Sequence, residues 1–379
     1  AATDVMIRTF HSFGAWLLRR NAAAVGLARG YSIYDDDDVT SLLRTIYPDE
    51  HRGTLLRYAR LISRAKDYTL RPHDDLSLIS PDPDLTEIYR AYQERLDEIG
   101  NVDFGDLILK PVELLRDDEA IRTRTRQRYR YILVDEYQDS NVAQYELLKQ
   151  LSDEGTYLCV VGDDDQSIYR FRGAEVRNIL TFSESFPRTT VVKLEQNYRS
   201  TGPILDVASA VVRHNTGRLG KTLWTERTGG TIPTVALLRD QDEEVDFCID
   251  LIRSEPRETA ILYRTNAQSR LFESALLRGG IPYRIVGSLR FYEREEIKDA
   301  LAALKLVANP RDEISFRRII NKPTRGIGAK SVETIAEAIP RARGDVLVAT
   351  EAAIPNLSKK AGASARRFVD AIGEARSSL

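Results

Sequence analysis

Two short apolar runs, Tyr131-Ile132-Leu133-Val134 and Tyr157-Leu158-Cys159-Val160-Val161, each end abruptly in carboxylates. Between them apolar residues recur at Val142, Tyr145, Leu148 and Leu151, the three- and four-residue spacing of a helix face. Strand, helix, strand at this spacing predicts a parallel unit with both sheet faces covered. Further candidate strands at 190–194, 234–238, 259–263 and 283–286 predict a second α/β stretch. The first dozen residues read as a strand running into Thr9-Phe10-His11-Ser12-Phe13, followed by an apolar helix through Trp16-Leu17-Leu18. Residues 31–105 are helical and charged in pattern, interrupted by the acidic run at 35–38 and by Ser80-Pro81-Asp82-Pro83-Asp84. The acidic run suits a helix N-terminus or a solvated loop, because adjacent carboxylates repel and would alternate faces on a strand. Beyond Phe291 the pattern is almost wholly helical, with Pro310, Pro323 and Pro340 as breakers.

The length, 379 residues, exceeds one ordinary core and implies two to four structural units. A hydrophobic fraction of 42% with 30% charged residues describes a globular chain. No apolar stretch is long enough to span a bilayer, and the first residues lack the pattern of a secretory signal. Cys159 and Cys248 alone give neither a disulfide framework nor a zinc cluster, and a reducing cytoplasm is expected. The net charge of −2 does not advertise a nucleic-acid binder, although phosphate affinity depends on a local basic track and not on the total. Arginine supplies 44 of the 55 basic residues. It suits bidentate phosphate contacts, but a GC-rich genome gives the same bias.

The chemistry concentrates at strand ends. Leu133-Val134-Asp135-Glu136-Tyr137-Gln138-Asp139 delivers two adjacent carboxylates to the C-terminal end of a buried strand, where α/β sheets bind ligands. Nucleotide hydrolases use such a pair to hold Mg²⁺ and to polarise the attacking water. An acidic helix cap after a strand would look the same. The second strand runs into Gly162-Asp163-Asp164-Asp165-Gln166-Ser167-Ile168-Tyr169-Arg170-Phe171-Arg172-Gly173-Ala174, and a third ends in Leu194-Glu195-Gln196-Asn197-Tyr198-Arg199-Ser200.

Together with Thr9-Phe10-His11-Ser12, Gly217-Arg218-Leu219-Gly220-Lys221, the segment at 261–270 and that at 290–299, this series resembles the superfamily 1 DNA helicases of the UvrD/PcrA/Rep family over essentially the whole chain. The resemblance implies an α/β fold of tandem RecA-like motor domains, the P-loop NTPase fold, both incomplete, with mostly helical inserted subdomains. It implies residues 1–13 and 106–193 as the first motor domain, 14–105 as a helical insertion, 194–289 as the second motor domain and 290–379 as a second helical insertion. It further implies ATP and Mg²⁺ as cofactors, with Asp135 on the metal, Glu136 as general base and Gln166 as γ-phosphate sensor. Tyr198 would stack on adenine and Arg199 would act as an arginine finger. Single-stranded DNA would meet Thr9 and His11, Tyr169, Phe171 and Arg172, and Arg264 and Asn266. The family usually has Trp where this chain has Phe171, which offers less stacking area.

Thr324-Arg325-Gly326-Ile327-Gly328-Ala329 resembles a helix-hairpin-helix turn, in which backbone N–H groups meet a phosphate. Arg325, Gly326 and Gly328 would then contact duplex ahead of the fork; a plain helix-capping turn is the alternative. The sequence contains no P-loop of the Gly-x-x-x-x-Gly-Lys-Ser/Thr form. In its nearest approach, Asn215-Thr216-Gly217-Arg218-Leu219-Gly220-Lys221-Thr222, Asn215 stands where the first glycine belongs. The chain therefore reads as the middle of a helicase. The expected function is an ATP-dependent 3′–5′ translocase and DNA helicase in repair or replication, inactive in this piece alone. Single-stranded DNA, duplex junctions, repair or replication proteins and the absent terminal segments would be its partners, with no membrane. The rival is a non-hydrolytic module that binds DNA or a partner.

Overall fold

The computed structural model describes residues 5–169, 173–254, 258–286 and 295–378. They form two compact units. The first comprises Ala1–Val192, Gly217–Leu219 and Glu295–Leu379; the second comprises Lys193–Thr216 and Gly220–Arg294.

The first unit opens with α1 (Phe10–Arg20), β1 (Ile33–Tyr34), α2 (Asp36–Ile46), α3 (Arg52–Asp67) and α4 (Leu85–Ile99). It continues with β2 (Val102–Asp103), α5 (Asp106–Asp117), α6 (Glu119–Arg128), β3 (Tyr131–Val134), α7 (Val142–Leu151) and β4 (Tyr157–Val160), then the single turns α8 (Arg177–Leu180) and α9 (Phe182–Ser185). The second unit holds α10 (Gly202–Val212), α11 (Gln241–Ser254) and α12 (Ser269–Arg278). The chain returns to the first unit as α13 (Glu295–Ala308), α14 (Glu313–Ile319), α15 (Ala329–Ala336), α16 (Val346–Ala353) and α17 (Lys359–Ser377).

The acidic run is a helix start. Asp35 caps α2 in a reciprocal capping box with Asp38, and Asp36, Asp37 and Asp38 fill the first turn, where the helix dipole favours negative charge. The run also receives two lysines from α13: Lys298 Nζ lies 2.6 Å from Asp37, and Lys305 Nζ lies 3.0 Å from Asp38. On the inner face of α2, Leu42 and Leu43 pack with Leu55, Ile62, Leu85, Tyr89 and Leu96 of α3 and α4. A separate core, built on Leu306, Phe316, Ile335, Val346 and Phe368, holds α13–α17 together.

The predicted strand–helix–strand unit is present. β3 and β4 pair in parallel, with Tyr131 opposite Tyr157 and Val134 opposite Val160. Only one face is covered, however. Val134 packs with Tyr137, Leu148 of α7 and Phe182, whereas Tyr131 and Leu133 are 76% and 75% exposed. Two strands and one helix cannot cover both sides of a pleat. Among the described residues the N-terminal strand is also absent: α1 starts directly at Phe10, capped by the Thr9 hydroxyl, and Val5 and Ile7 are exposed. Among the described residues the four further strand candidates form no ladder. One isolated parallel bridge joins Gln196 to Trp224, while Leu237 and Leu262 are 95% and 93% exposed. Apolar alternation favours a strand only where neighbouring strands accept its hydrogen bonds.

A buried cation fixes how the helical segment meets α5. Lys66, at the end of α3, is 0% exposed and donates to Asp103 at 2.6 Å and Asp106 at 2.7 Å. Tyr92 of α4 donates to the same Asp103 oxygen at 2.8 Å. Gly105 lets the lysine stem pass, since a Cβ there would lie 2.7 Å from Lys66 Cδ. Burial pulls the Lys66 ammonium down, but the two carboxylates outweigh it and hold its pKa above the ordinary value. Lys66→Ala would leave two buried carboxylates without their counterion. It should cost about 3–5 kcal/mol in urea unfolding; a loss below 1 kcal/mol would mean that water reaches the pair.

Candidate active site and nucleic-acid interface

The carboxylates Asp135 and Glu136 follow the buried Val134 and are both exposed. Glu136 adopts φ 51°, ψ 40°, a left-handed backbone that is uncommon outside glycine. Its N–H donates to Asp135 Oδ1 at 3.0 Å. Gln138, 1% exposed, donates from Nε2 to Glu136 Oε2 at 2.7 Å. Its Oε1 accepts from the N–H of Asp163 at 3.0 Å, and its carbonyl accepts from Ser167 Oγ at 3.2 Å. One buried amide thereby joins the turn after β3 to the turn after β4. Gly162 makes this approach possible, because a Cβ there would lie 2.7 Å from Gln138 Oε1. In the second turn Gln166 donates from Nε2 to Asp163 Oδ2 at 2.8 Å. Asp135, Glu136 and Gln166 thus share one end of one sheet. Sequence reasoning passed over Gln138, whose mark is an amide set among carboxylates just past an apolar strand.

Thr9 and His11 line an open cleft of about 790 Å³ with Arg8, Trp16, Arg19, Arg20, Arg29 and Phe104. The His11 and Phe104 rings lie 5.7 Å apart, and Phe104 is exposed. The Arg19 guanidinium sits 5.4 Å from the Tyr31 ring, and that of Arg20 sits 5.4 Å from Trp16. Burial holds the His11 imidazole below its usual pKa, so at neutral pH it offers a neutral hydrogen-bonding group and not a cation. Charge in this cleft comes from the arginines. Arg8, Arg19 and Arg20 lie close to Thr9 and His11 along the chain, on or beside α1, whereas Arg29 and Phe104 reach the cleft only through the fold. Tyr169 is partly exposed, whereas Phe171 and Arg172 lie outside the described residues.

In the second unit, Asn197 Oδ1 accepts from the N–H groups of Arg199 (3.0 Å) and Ser200 (2.8 Å), an Asx-type turn. Arg227 braces the same turn by donating to the Arg199 carbonyl at 2.6 Å. The turn presents Tyr198, 76% exposed, and Arg199, also exposed. Arg264 and Asn266 occupy an exposed loop held by Gln268 Oε1, which accepts from the N–H groups of Arg264 and Thr265.

The family description "UvrD/REP helicase N-terminal domain" matches residues 1–187, and "UvrD-like helicase C-terminal domain" matches residues 192–345. The chain belongs to the UvrD/Rep helicase family. It is 42% identical to the ATP-dependent DNA helicase PcrA of Bacillus subtilis over 88% of its own length and 47% of the relative's. It is 40% identical to the ATP-dependent DNA helicase UvrD1 of Mycobacterium tuberculosis over 100% of its own length and 53% of the relative's. To DNA helicase II of Escherichia coli it is 40% identical over 87% and 48%. The chain spans about half the length of the curated relatives it matches. Among the described residues no helix is long and apolar enough to cross a membrane.

In this UvrD/Rep-family chain the Gly-Ile-Gly turn is held from within by Arg325. Its Nη1 donates to the carbonyls of Ile319 and Lys322, both at 2.7 Å, and its guanidinium lies 5.3 Å from the Phe368 ring. That guanidinium is engaged in bracing the turn. Gly326, at φ 74°, and Gly328, the N-cap of α15, remain exposed.

Asp67, the last residue of α3, accepts from Asn141 Nδ2 at 2.7 Å, and Asn141 caps α7. Burial, reinforced by Asp103, pushes the Asp67 carboxyl up to about 7 from an ordinary 3.8. The folded state therefore holds this proton more tightly than the unfolded chain. The resulting stabilisation is full below about pH 4 and is lost as pH rises towards 7. Asp67→Asn keeps an acceptor for Asn141 and removes the titration. The melting temperature of the variant relative to the parent should rise between pH 5 and pH 8; a pH-independent difference would contradict the assignment.

Proposed function

We propose that the protein carrying this chain is an ATP-dependent DNA translocase and helicase, acting in the cytoplasm in DNA repair or replication. The observation that carries this reading is the pair Asp135–Glu136 at the end of β3, tied through Gln138 to the turn that bears Gln166. The names of the relatives, ATP-dependent DNA helicases, support it. Movement from 3′ to 5′ follows from the family resemblance. So do the tandem RecA-like architecture and its division at 1–13 with 106–193, 14–105, 194–289 and 290–379.

The residues suit the chemistry. Asp135 offers hard, exposed carboxylate oxygens of the kind Mg²⁺ takes, and the metal when bound would neutralise charge on the phosphates. Glu136, fixed in orientation by Gln138, accepts the proton of the attacking water. Gln166 senses the γ-phosphate. Tyr198 supplies an open aromatic face for the base, and Arg199 supplies positive charge to the transferring phosphoryl group. Single-stranded DNA runs past Thr9 and His11, whose cleft combines arginines for phosphates with aromatic faces for bases. The family resemblance also gives Tyr169, Phe171, Arg172, Arg264 and Asn266 contacts to single-stranded DNA. The N–H groups around Gly326 and Gly328 meet duplex phosphates.

Glu136→Gln in the full-length protein should keep Mg·ATP binding and lower turnover by about 10²–10⁴-fold, because an amide cannot take the proton. Steady-state ATPase within a few-fold of the parent would remove the general-base role. The 379-residue chain contains no Gly-x-x-x-x-Gly-Lys-Ser/Thr loop to cradle the β- and γ-phosphates. By itself it should bind oligo-dT but show no DNA-stimulated ATP turnover. Robust turnover from material of verified mass would mean that 215–222 acts as the phosphate loop after all.

A further inference from the structure

Arg218 meets Asp165 through two parallel hydrogen bonds, Nε to Oδ1 at 2.5 Å and Nη2 to Oδ2 at 2.6 Å. This is the fork geometry in which guanidinium–carboxylate pairs are strongest. The next N–H, that of Leu219, donates to Asp164 Oδ2 at 2.9 Å. Both side chains are largely withdrawn from solvent, at 20% and 10% exposure, so the pair is less screened than an open surface pair. Residues 217–219 group with the first unit, although the chain on either side of them groups with the second.

The anchored turn is the one that carries Gln166. Asp164–Gln166 forms a single 3₁₀ turn. Asp163 holds its other side by accepting from the Asp165 N–H at 3.0 Å and from Gln166 Nε2 at 2.8 Å. Carboxylate oxygens of Asp163, Asp164 and Asp165 lie within 4.8 Å of one another. Like charges that close repel, and the Arg218 guanidinium offsets the repulsion.

We propose that Arg218 is a positioning residue for ATP hydrolysis, holding the Asp164–Gln166 turn in the conformation that presents Gln166 to the nucleotide. This rests on the reading of Gln166 as γ-phosphate sensor. Without Arg218 the carboxylates spread, and Gln166 loses its fixed starting position. Misplacement of a reacting or sensing group by about 1 Å costs rates on the order of 10²-fold.

The test uses the full-length protein with Arg218→Ala, Gln166→Ala, the double variant, and the charge swap Arg218→Asp with Asp165→Arg. The readouts are kcat and KM for ATP in DNA-stimulated ATPase, with melting temperature in parallel. Arg218→Ala should lower kcat about 10–100-fold with KM little changed. The double variant should be no slower than Gln166→Ala, and the swap should recover part of kcat. Normal kcat in Arg218→Ala beside an impaired Gln166→Ala overturns the proposal and leaves the sensor reading standing. Normal turnover in Gln166→Ala removes the sensor role and the proposal with it. A swap that restores melting temperature but not kcat assigns the pair a structural role alone and overturns the proposal.

Discussion

The buried ammonium of Lys66 is the constraint on which the first unit depends. A charge with no access to water must be paired and hydrogen-bonded, or the fold loses several kcal/mol. Asp103 and Asp106 satisfy it at 2.6 and 2.7 Å, and Tyr92 shares one of their oxygens. These groups arrive from α3, α4 and the β2–α5 junction, so three elements must converge at one register for the pair to form. Hydrophobic packing alone tolerates sliding, whereas this arrangement does not. The next residue along, Asp67, then reaches the N-cap of α7. The helix following the carboxylate turn is thereby set against the helical segment.

On that base the site is built by hydrogen bonds, with little apolar burial of its own. Glu136 holds a strained backbone, and Gln138 spends its amide on two separate turns. Rigid support beneath exposed carboxylates is what general acid–base work requires, because the reacting groups must be open while their orientation is not. The same division recurs in the second unit. There Asn197 and Arg227 secure a turn whose Tyr198 and Arg199 side chains stay exposed.

Arginine, so abundant here, serves two ends that composition cannot separate. Arg218 and Arg325 are engaged with a carboxylate and with backbone carbonyls, and Arg227 with the turn it braces. Arg8 and Arg29 line the cleft beside Thr9 and His11. A guanidinium carries five donors in a rigid fork, which suits carbonyl cages as well as phosphates. Arg325, expected at a phosphate, is the clearest example. Its neighbours in sequence resemble a DNA-binding turn, and its Nη1 donates to the loop that carries it.

The sequence by itself determined what depends on neighbours a few residues apart. The β3–α7–β4 unit, the helical segment from α13 to α17 and the carboxylates at a strand end were readable, and the acidic run at 35–38 was narrowed to a helix start or a solvated loop. Periodicity, capping and strand termination are local effects. Tertiary structure decided the rest. Ladder formation at 190–194, 234–238 and 259–263 requires partner strands, and without that pairing Val191, Val192, Leu194, Val235, Leu237 and Leu262 lie open. Gln138 matters because it joins turns 25 residues apart, Arg218 because it reaches across 53, and Lys66 because its partners lie 37 and 40 residues onward. Contacts at those separations leave no periodic trace along the chain, since closing the intervening loop, not any local preference, brings the groups together.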